Sequence, residues 1–299
     1  MSEIVDDFYT ARNQLYLGAY SQCIATLGHL SVSSSLEPEK ESLKLRAYIG
    51  QQNYTQALQE TTGQTPLMQA IRQLALLKQQ QQQQQQGAMS YEAITKEIDA
   101  LVEDTDNLSS AVFVAVAAQV YMGAQKYDDA FRILHVQPKN LECVAMTVQG
   151  YLAIHRVDLA QKLIEQVRQW SEDAPIAQLA EAWTNLHVGG AKLTEAYYIL
   201  EELAQAASVR TPSLLNAMAV CKMHLKQYPE AMSFLQEAER LGTDANVLAN
   251  LFICASLMGE AESKTQYKSQ LEQTAPSHPF VRDVEAKSIE FDTLASQYT

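Results

Sequence analysis

Clustered positive charge is what this sequence most plainly lacks. Its 299 residues carry 22 Lys plus Arg against 35 Asp plus Glu, a formal net charge of −13, and the basic residues form no run. Nucleic-acid affinity comes mainly from lysine and arginine laid against phosphates, so that class of partner is excluded. The same sign repels an anionic membrane surface. No stretch reaches the roughly 18 uninterrupted apolar residues of a membrane span. The N-terminal MSEIVDDFYT has acids where a secretory leader has a basic stretch followed by an apolar core. The chain is expected to be cytoplasmic, with no direct membrane insertion.

Catalytic signatures are missing as well. The eleven glycines form neither G-x-G-x-x-G nor G-x-x-x-x-G-K-[ST], and H-E-x-x-H and G-x-S-x-G are absent. The six histidines (His29, His135, His155, His187, His224, His278) stand alone. Four cysteines (Cys23, Cys143, Cys221, Cys254) lie far apart without C-x-x-C spacing, each in a helix-like run, which fits buried reduced thiols better than disulfides or a metal site. No catalytic, metal or cofactor-binding residue is nominated. A non-catalytic protein without cofactors is expected.

What is present, with 47% apolar residues to build a core, is a repeat. QNYTQA at 52–57, QKYDDA at 125–130 and KQYPEA at 226–231 all read K/Q-x-Y-x-x-A. Aligned on the final position, the slot is filled by Cys23, Ala57, Ala130, Ala160, Ala196 and Ala231, with Ala93 as a seventh member. Three residues earlier stand Tyr20, Tyr54, Tyr127, Val157, Leu193 and Tyr228; twelve earlier, Ala11, Leu45, Ala118, Val148, Thr184 and Ala219. Four residues after it come Leu27, Thr61, Leu134, Ile164, Leu200 and Leu235. This is the pattern of a helical hairpin: an elbow wedged by an aromatic or large aliphatic residue, then a small residue where two helices approach closely, then a buried face. One hairpin cannot bury its apolar stripe alone, whereas stacked hairpins can. The Gly189-Gly190 pair falls at such an elbow and reads as a helix C-terminus in the left-handed conformation.

Spacing, wedge and small residue together resemble the tetratricopeptide repeat, although Trp is mostly absent at the start of the first helix and the closing Pro is missing from most repeats. The expected fold is all-α: a single tetratricopeptide-like solenoid domain over residues 1–299, wound as a right-handed superhelix. The eight glutamines Gln79–Gln86 are expected to form a loop at about 78–88, disordered or as frayed helix. A capping helix is expected at about 276–299, shielding the last repeat.

The resemblance implies that the first helix of each hairpin lines a concave groove, with inward slots eighteen, fifteen, eleven and eight residues before the small one. The last of these reads Leu15, Ile49, Met122, Leu152, Val188 and Met223. Phe8, Ala115 and Val220 add apolar inward positions, as do Val5, Val112 and Ala145. Arg12, Arg46, Gln119, Gln149, Asn185 and Asn216 add polar ones. A groove this apolar is expected to be filled by another protein. Chaperone-adaptor arrays of similar fold clamp a peptide's terminal carboxylate with paired Lys and Asn; here Asn185 and Asn216 have no inner-face lysine beside them. A generic adaptor binding a short peptide in the groove is the alternative reading.

Longer segments narrow the resemblance. NQLYLGAYSQCI near the start, LECVAMTVQGYLAIHRVDLA from 141, AWTNLHVGGAKLTEAYYIL from 182 and SHPFVRDVEAKSIEFDTLASQY near the end are similar, in order, to the epsilon subunit family of coatomer. That resemblance implies a non-catalytic structural subunit of the COPI vesicle coat, active in Golgi-to-ER retrograde and intra-Golgi transport. It implies that the solenoid wraps and stabilises the C-terminal region of the coatomer alpha subunit and meets other coatomer subunits indirectly. It also implies a peripheral location on Golgi membranes and COPI-coated vesicles through the coat complex.

Overall fold

The computed structural model describes residues 6–61, 63–83, 91–242 and 244–298. They form α-helices, with one short 3-10 turn at Asn107–Ser109 and no strand among the described residues. Contacts divide the chain into two compact units, one ending at Val209 and the other beginning at Arg210.

The first unit holds six hairpins: α1 (Tyr9–Tyr16) with α2 (Tyr20–His29), α3 (Glu37–Gly50) with α4 (Tyr54–Glu60), and α5 (Pro66–Gln83) with α6 (Glu92–Glu103). They continue with α7 (Ala111–Gly123) and α8 (Tyr127–Leu134), α9 (Leu141–Ala153) and α10 (Val157–Arg168), and α11 (Pro175–Val188) and α12 (Lys192–Ala206). Each first helix packs on its own second helix, those from α1 to α9 also pack on the next first helix, and within this unit α1 also touches α11. The second unit contains α13 (Pro212–His224) with α14 (Tyr228–Leu241), α15 (Ala245–Met258) with α16 (Ala261–Thr274), and a final helix α17 (Pro279–Ala295).

The K/Q of the recurring motif has a backbone role. Gly18, Gln52, Gln125, His155, Lys226 and Gly259 each have φ between 60° and 80°, the left-handed conformation that ends a helix. In every case the following amide donates to a carbonyl five residues back: Ala19 to Gln14, Asn53 to Tyr48, Lys126 to Tyr121, Arg156 to Tyr151, Gln227 to Lys222 and Glu260 to Ala255, at 2.8–3.0 Å. This is a Schellman-type cap, and it turns the chain into the second helix within two residues. Gly189 and Gly190, also left-handed, make the longer elbow between α11 and α12. Four first helices, α7, α9, α13 and α15, start on side-chain caps: Ser110, Asn140, Thr211 and Asp244 accept from amides two or three residues on.

The small slot is the most buried position of the repeat. Cys23, Ala57, Ala130, Ala160, Ala196 and Ala231 are all 0% exposed, and their partners twelve residues earlier are equally sealed. Two corrections to the sequence reading follow. Ala93 is exposed, and Ile94 occupies its slot instead, with Tyr91 three residues before it and the buried Ile98 four after. The hairpin of α15 and α16 escaped the alignment because its slot, five residues after the left-handed Gly259, is filled by Lys264, whose ammonium lies 5.8 Å from the Phe252 ring centre.

The glutamine tract, expected as a loop or frayed helix, begins as helix. Its first five residues extend α5 to Gln83, while Gln84–Gln86 lie outside the described residues. Gln81 donates at 2.9 Å to the carbonyl of Gly123, at the last turn of α7, and Gln82 donates at 3.1 Å to Gln52. Glutamine is a good helix former, and here its amides satisfy groups at neighbouring helix ends.

Candidate functional site

First helices of the first unit converge on one cavity of about 430 Å³, walled by residues of α1, α3, α7, α9 and α11 and the segments that lead into them. Its mouth is aromatic: Tyr9 is 57% exposed and Trp170, just after α10, is 48% exposed. Apolar lining comes from Val112, Leu141, Pro175 and Ile176. The polar wall is ordered by charge. Arg12 donates to Asp6 and to Glu39, each at 2.5 Å, so α1 is tied to α3 across the wall.

Deeper, Arg46 of α3 donates to Glu142 of α9, and Tyr16 of α1 donates to the other carboxylate oxygen at 3.1 Å. Burial, and then the Glu142 carboxylate, push the Tyr16 phenol well above its usual range, so it stays a neutral donor. Arg46 is raised although burial opposes its charge, because Glu142 outweighs it together with Tyr16. Three hairpins far apart in sequence are thereby locked around the cavity wall.

The residues expected to line a groove separate into three groups. Phe8, Leu15, Arg46, Ile49, Ala115, Leu152 and Asn185 are buried, none more than 8% exposed. Arg12, Gln119, Met122, Gln149, Asn216, Val220 and Met223 are half-buried, and Val188 is exposed. Of these fifteen, only Arg12 lines the cavity.

For the buried seven the expectation is corrected. The slot eight residues before the small one is apolar chiefly because it packs between neighbouring helices, as Leu152 does beside Ala160, Ile164 and Ala180. Arg46 faces inward but is committed to Glu142. Asn216 accepts from Asn250 at 2.8 Å, so in the second unit it is part of an amide pair. Val5 lies outside the described residues.

The sequence reading missed Glu39 and Glu142, which share the slot eighteen residues before the small position with Val112. That regularity was available as a signal. Tyr9, Tyr16 and Trp170 fall outside the four inward slots and had none. Among the described residues, no group of three or more His, Cys, Asp or Glu is arranged to hold a metal, and no helix is long and apolar enough to cross a membrane.

Stacked two-helix units with capped elbows and first helices facing a cavity define a tetratricopeptide-like helical repeat protein. Solved structures agree on the fold: a tetratricopeptide repeat protein from Parabacteroides merdae superposes with a TM-score of 0.58 at 12% identity, covering 82% of this chain and 96% of that one. The APC/C hetero-tetramer Cut9-Hcn1 gives 0.51 at 13% identity, over 96% and 62%. The family model described as coatomer epsilon subunit matches residues 4–299. Similar relatives include coatomer subunit epsilon-1 of Arabidopsis thaliana, 30% identical with 98% of this chain and 97% of that one covered. Coatomer subunit epsilon of Dictyostelium discoideum is also 30% identical, with 98% and 99% covered. The chain belongs to the coatomer epsilon subunit family, and so to the components of the COPI coat.

Proposed function

We propose that this protein is a non-catalytic structural subunit of the coat that holds the C-terminal region of the coatomer alpha subunit against the inner face of its first unit. It acts in Golgi-to-ER retrograde and intra-Golgi transport, meets other coatomer subunits through alpha, and reaches Golgi membranes and COPI-coated vesicles from the cytoplasm through the coat complex. The observation that carries this reading, beside family membership, is the cavity with Tyr9 and Trp170 at its mouth. Large exposed aromatics beside apolar lining such as Leu141 and Ile176 are of the kind that dominates protein interfaces. The rigid wall behind them, tied by Arg12 and Arg46, presents them without much ordering cost on binding.

The test is a calorimetric titration of the full chain with a recombinant C-terminal fragment of coatomer alpha. Tight one-to-one binding that weakens at least tenfold in Trp170→Ala is expected. No binding by a folded chain would overturn the reading, and weak, exchangeable binding would favour the peptide-adaptor alternative.

A further inference from the structure

The last helix does not behave as a closed cap. Only its first turn packs, with Phe280 and Val281 against the core of the second unit and the Phe280 ring 5.5 Å from that of Phe252. No residue of α17 is buried. Between α16 and α17 a groove of about 490 Å³ stays open, floored by Phe252, Leu271, Phe280, Val281 and Val284. Beyond it Phe291 is 70% exposed, Leu294 51% and Tyr298 90%.

These positions are in phase. Phe280, Val284, Lys287, Phe291 and Leu294 follow one another along α17 at alternating steps of four and three, the heptad spacing of a coiled-coil seam, and Tyr298 comes four residues later, past the helix end. Lys287 is the one charged member, and it is neutralised by Glu290 at 2.7 Å. One shoulder of the seam is acidic, with Asp283 and Glu290; the other carries Val281 and Ser288, with Glu285 and Asp292 farther round, while Arg282 and Ile289 lie at the back. An open apolar stripe with carboxylates along one flank is complementary to one kind of surface.

We propose that the α17 seam, continuous with the α16–α17 groove, is a second docking site for a partner protein's amphipathic helix, apolar along one heptad seam and flanked by lysine and arginine. An anionic membrane surface is the wrong occupant, because the carboxylates and the net charge of −13 repel it. A second copy laid antiparallel would bring Asp283 and Glu290 against their own equivalents. The site is separate from the inner face of the first unit and stands whether or not alpha binds there.

A photo-crosslinking residue placed at Phe291, and in a control at Ile289 on the back of the helix, tests the assignment in the full chain assembled into reconstituted coatomer. The expected result is a yield from position 291 at least fivefold above that from 289. Mass spectrometry should map it to a helical segment with basic residues beside its apolar seam, and Asp283→Lys with Glu290→Lys should lower it at least fivefold. Because α17 contributes no buried residue, these variants keep the fold. Equal yields at the two positions, no cross-link at 291, or insensitivity to charge reversal would overturn the proposal. So would cross-links to a second copy, or sedimentation of the free chain with phosphatidylserine vesicles that depends on Phe291.

Discussion

The Arg46 guanidinium donates to the Glu142 carboxylate across 96 residues of sequence, joining α3 to α9 where both side chains are almost sealed from water. Tyr16 supplies a further hydrogen bond to the same carboxylate from α1. The pair belongs to the wall of the cavity, which Glu142 also lines.

Removing one member should therefore cost stability out of proportion to an ordinary ion pair. Glu142→Ala leaves a buried guanidinium uncompensated, and a loss of about 3–5 kcal/mol is expected. Glu142→Gln, which keeps an acceptor for Arg46, should lose less. Urea unfolding followed by circular dichroism measures both; a Glu142→Ala midpoint equal to that of the parent chain would show that the pair carries no net weight.

The elbows make a prediction with opposite signs at equivalent positions. Gln125 and Gly259 are both left-handed, with φ of 61° and 78°. A residue with a Cβ is strained there by about 1–2 kcal/mol, and glycine is not. Gln125→Gly should raise stability by up to about 1 kcal/mol even though glycine loosens the unfolded chain, whereas Gly259→Ala should lower it by about the same amount. Thermal melts of the two variants giving the same sign would contradict the elbow assignment.

Two glycines in neighbouring hairpins separate backbone effects from packing. A Cβ at Gly50 of α3 would clash with the Tyr20 ring, whereas one at Gly28 of α2 would meet nothing within 4 Å. Gly50→Ala is expected to cost about 1–3 kcal/mol as the ring is displaced. Gly28→Ala should add about 0.5–1 kcal/mol through helix propensity. Equal effects in chemical denaturation would mean that the Tyr20 contact is not tight.

The four buried thiols give a pH dependence. Burial pushes Cys23 up to about 11 and Cys143 and Cys221 up to about 12, and raises Cys254 too. An unfolded thiol titrates near 8.5. The folded values are the higher ones, so this stabilisation is complete below about pH 8.5 and is lost as the pH rises toward the folded values. Melting temperature should fall between pH 8 and pH 10, and fall less steeply in Cys143→Ala. At pH 8 a thiol reagent should leave the native chain unmodified and label it after denaturation; fast labelling of the native chain would refute the burial.

The inner slots show where sequence reading stops. Leu152→Asp should unfold the hairpins around α9, because Leu152 is 5% exposed among Ala160, Ile164 and Ala180, while Val188→Asp, at an exposed helix end, should leave helicity intact. Circular dichroism distinguishes the two, although both residues hold the same slot of the repeat. Periodicity identifies a slot, but its exposure depends on how closely the next hairpin approaches.

The repeat itself was legible because each small residue answers one local demand, the close approach of two helices, and Ala or Cys meets it six times. Where Ile94 met the demand in α6 the alignment slipped by one, and in α16, where the exposed Lys264 stands at that spacing from Gly259, the hairpin was lost. What the sequence by itself determined was the all-helical class, the elbows and the sealed core between paired helices, since all of these arise from contacts within about 35 residues. Only the tertiary structure decided that Arg46 is held by Glu142, that Tyr9, Arg12 and Trp170 share one cavity, and that α17 keeps its apolar seam open. Those relationships join hairpins that are distant in sequence, or depend on how far a helix is seated, and neither is written into a local pattern of residue types.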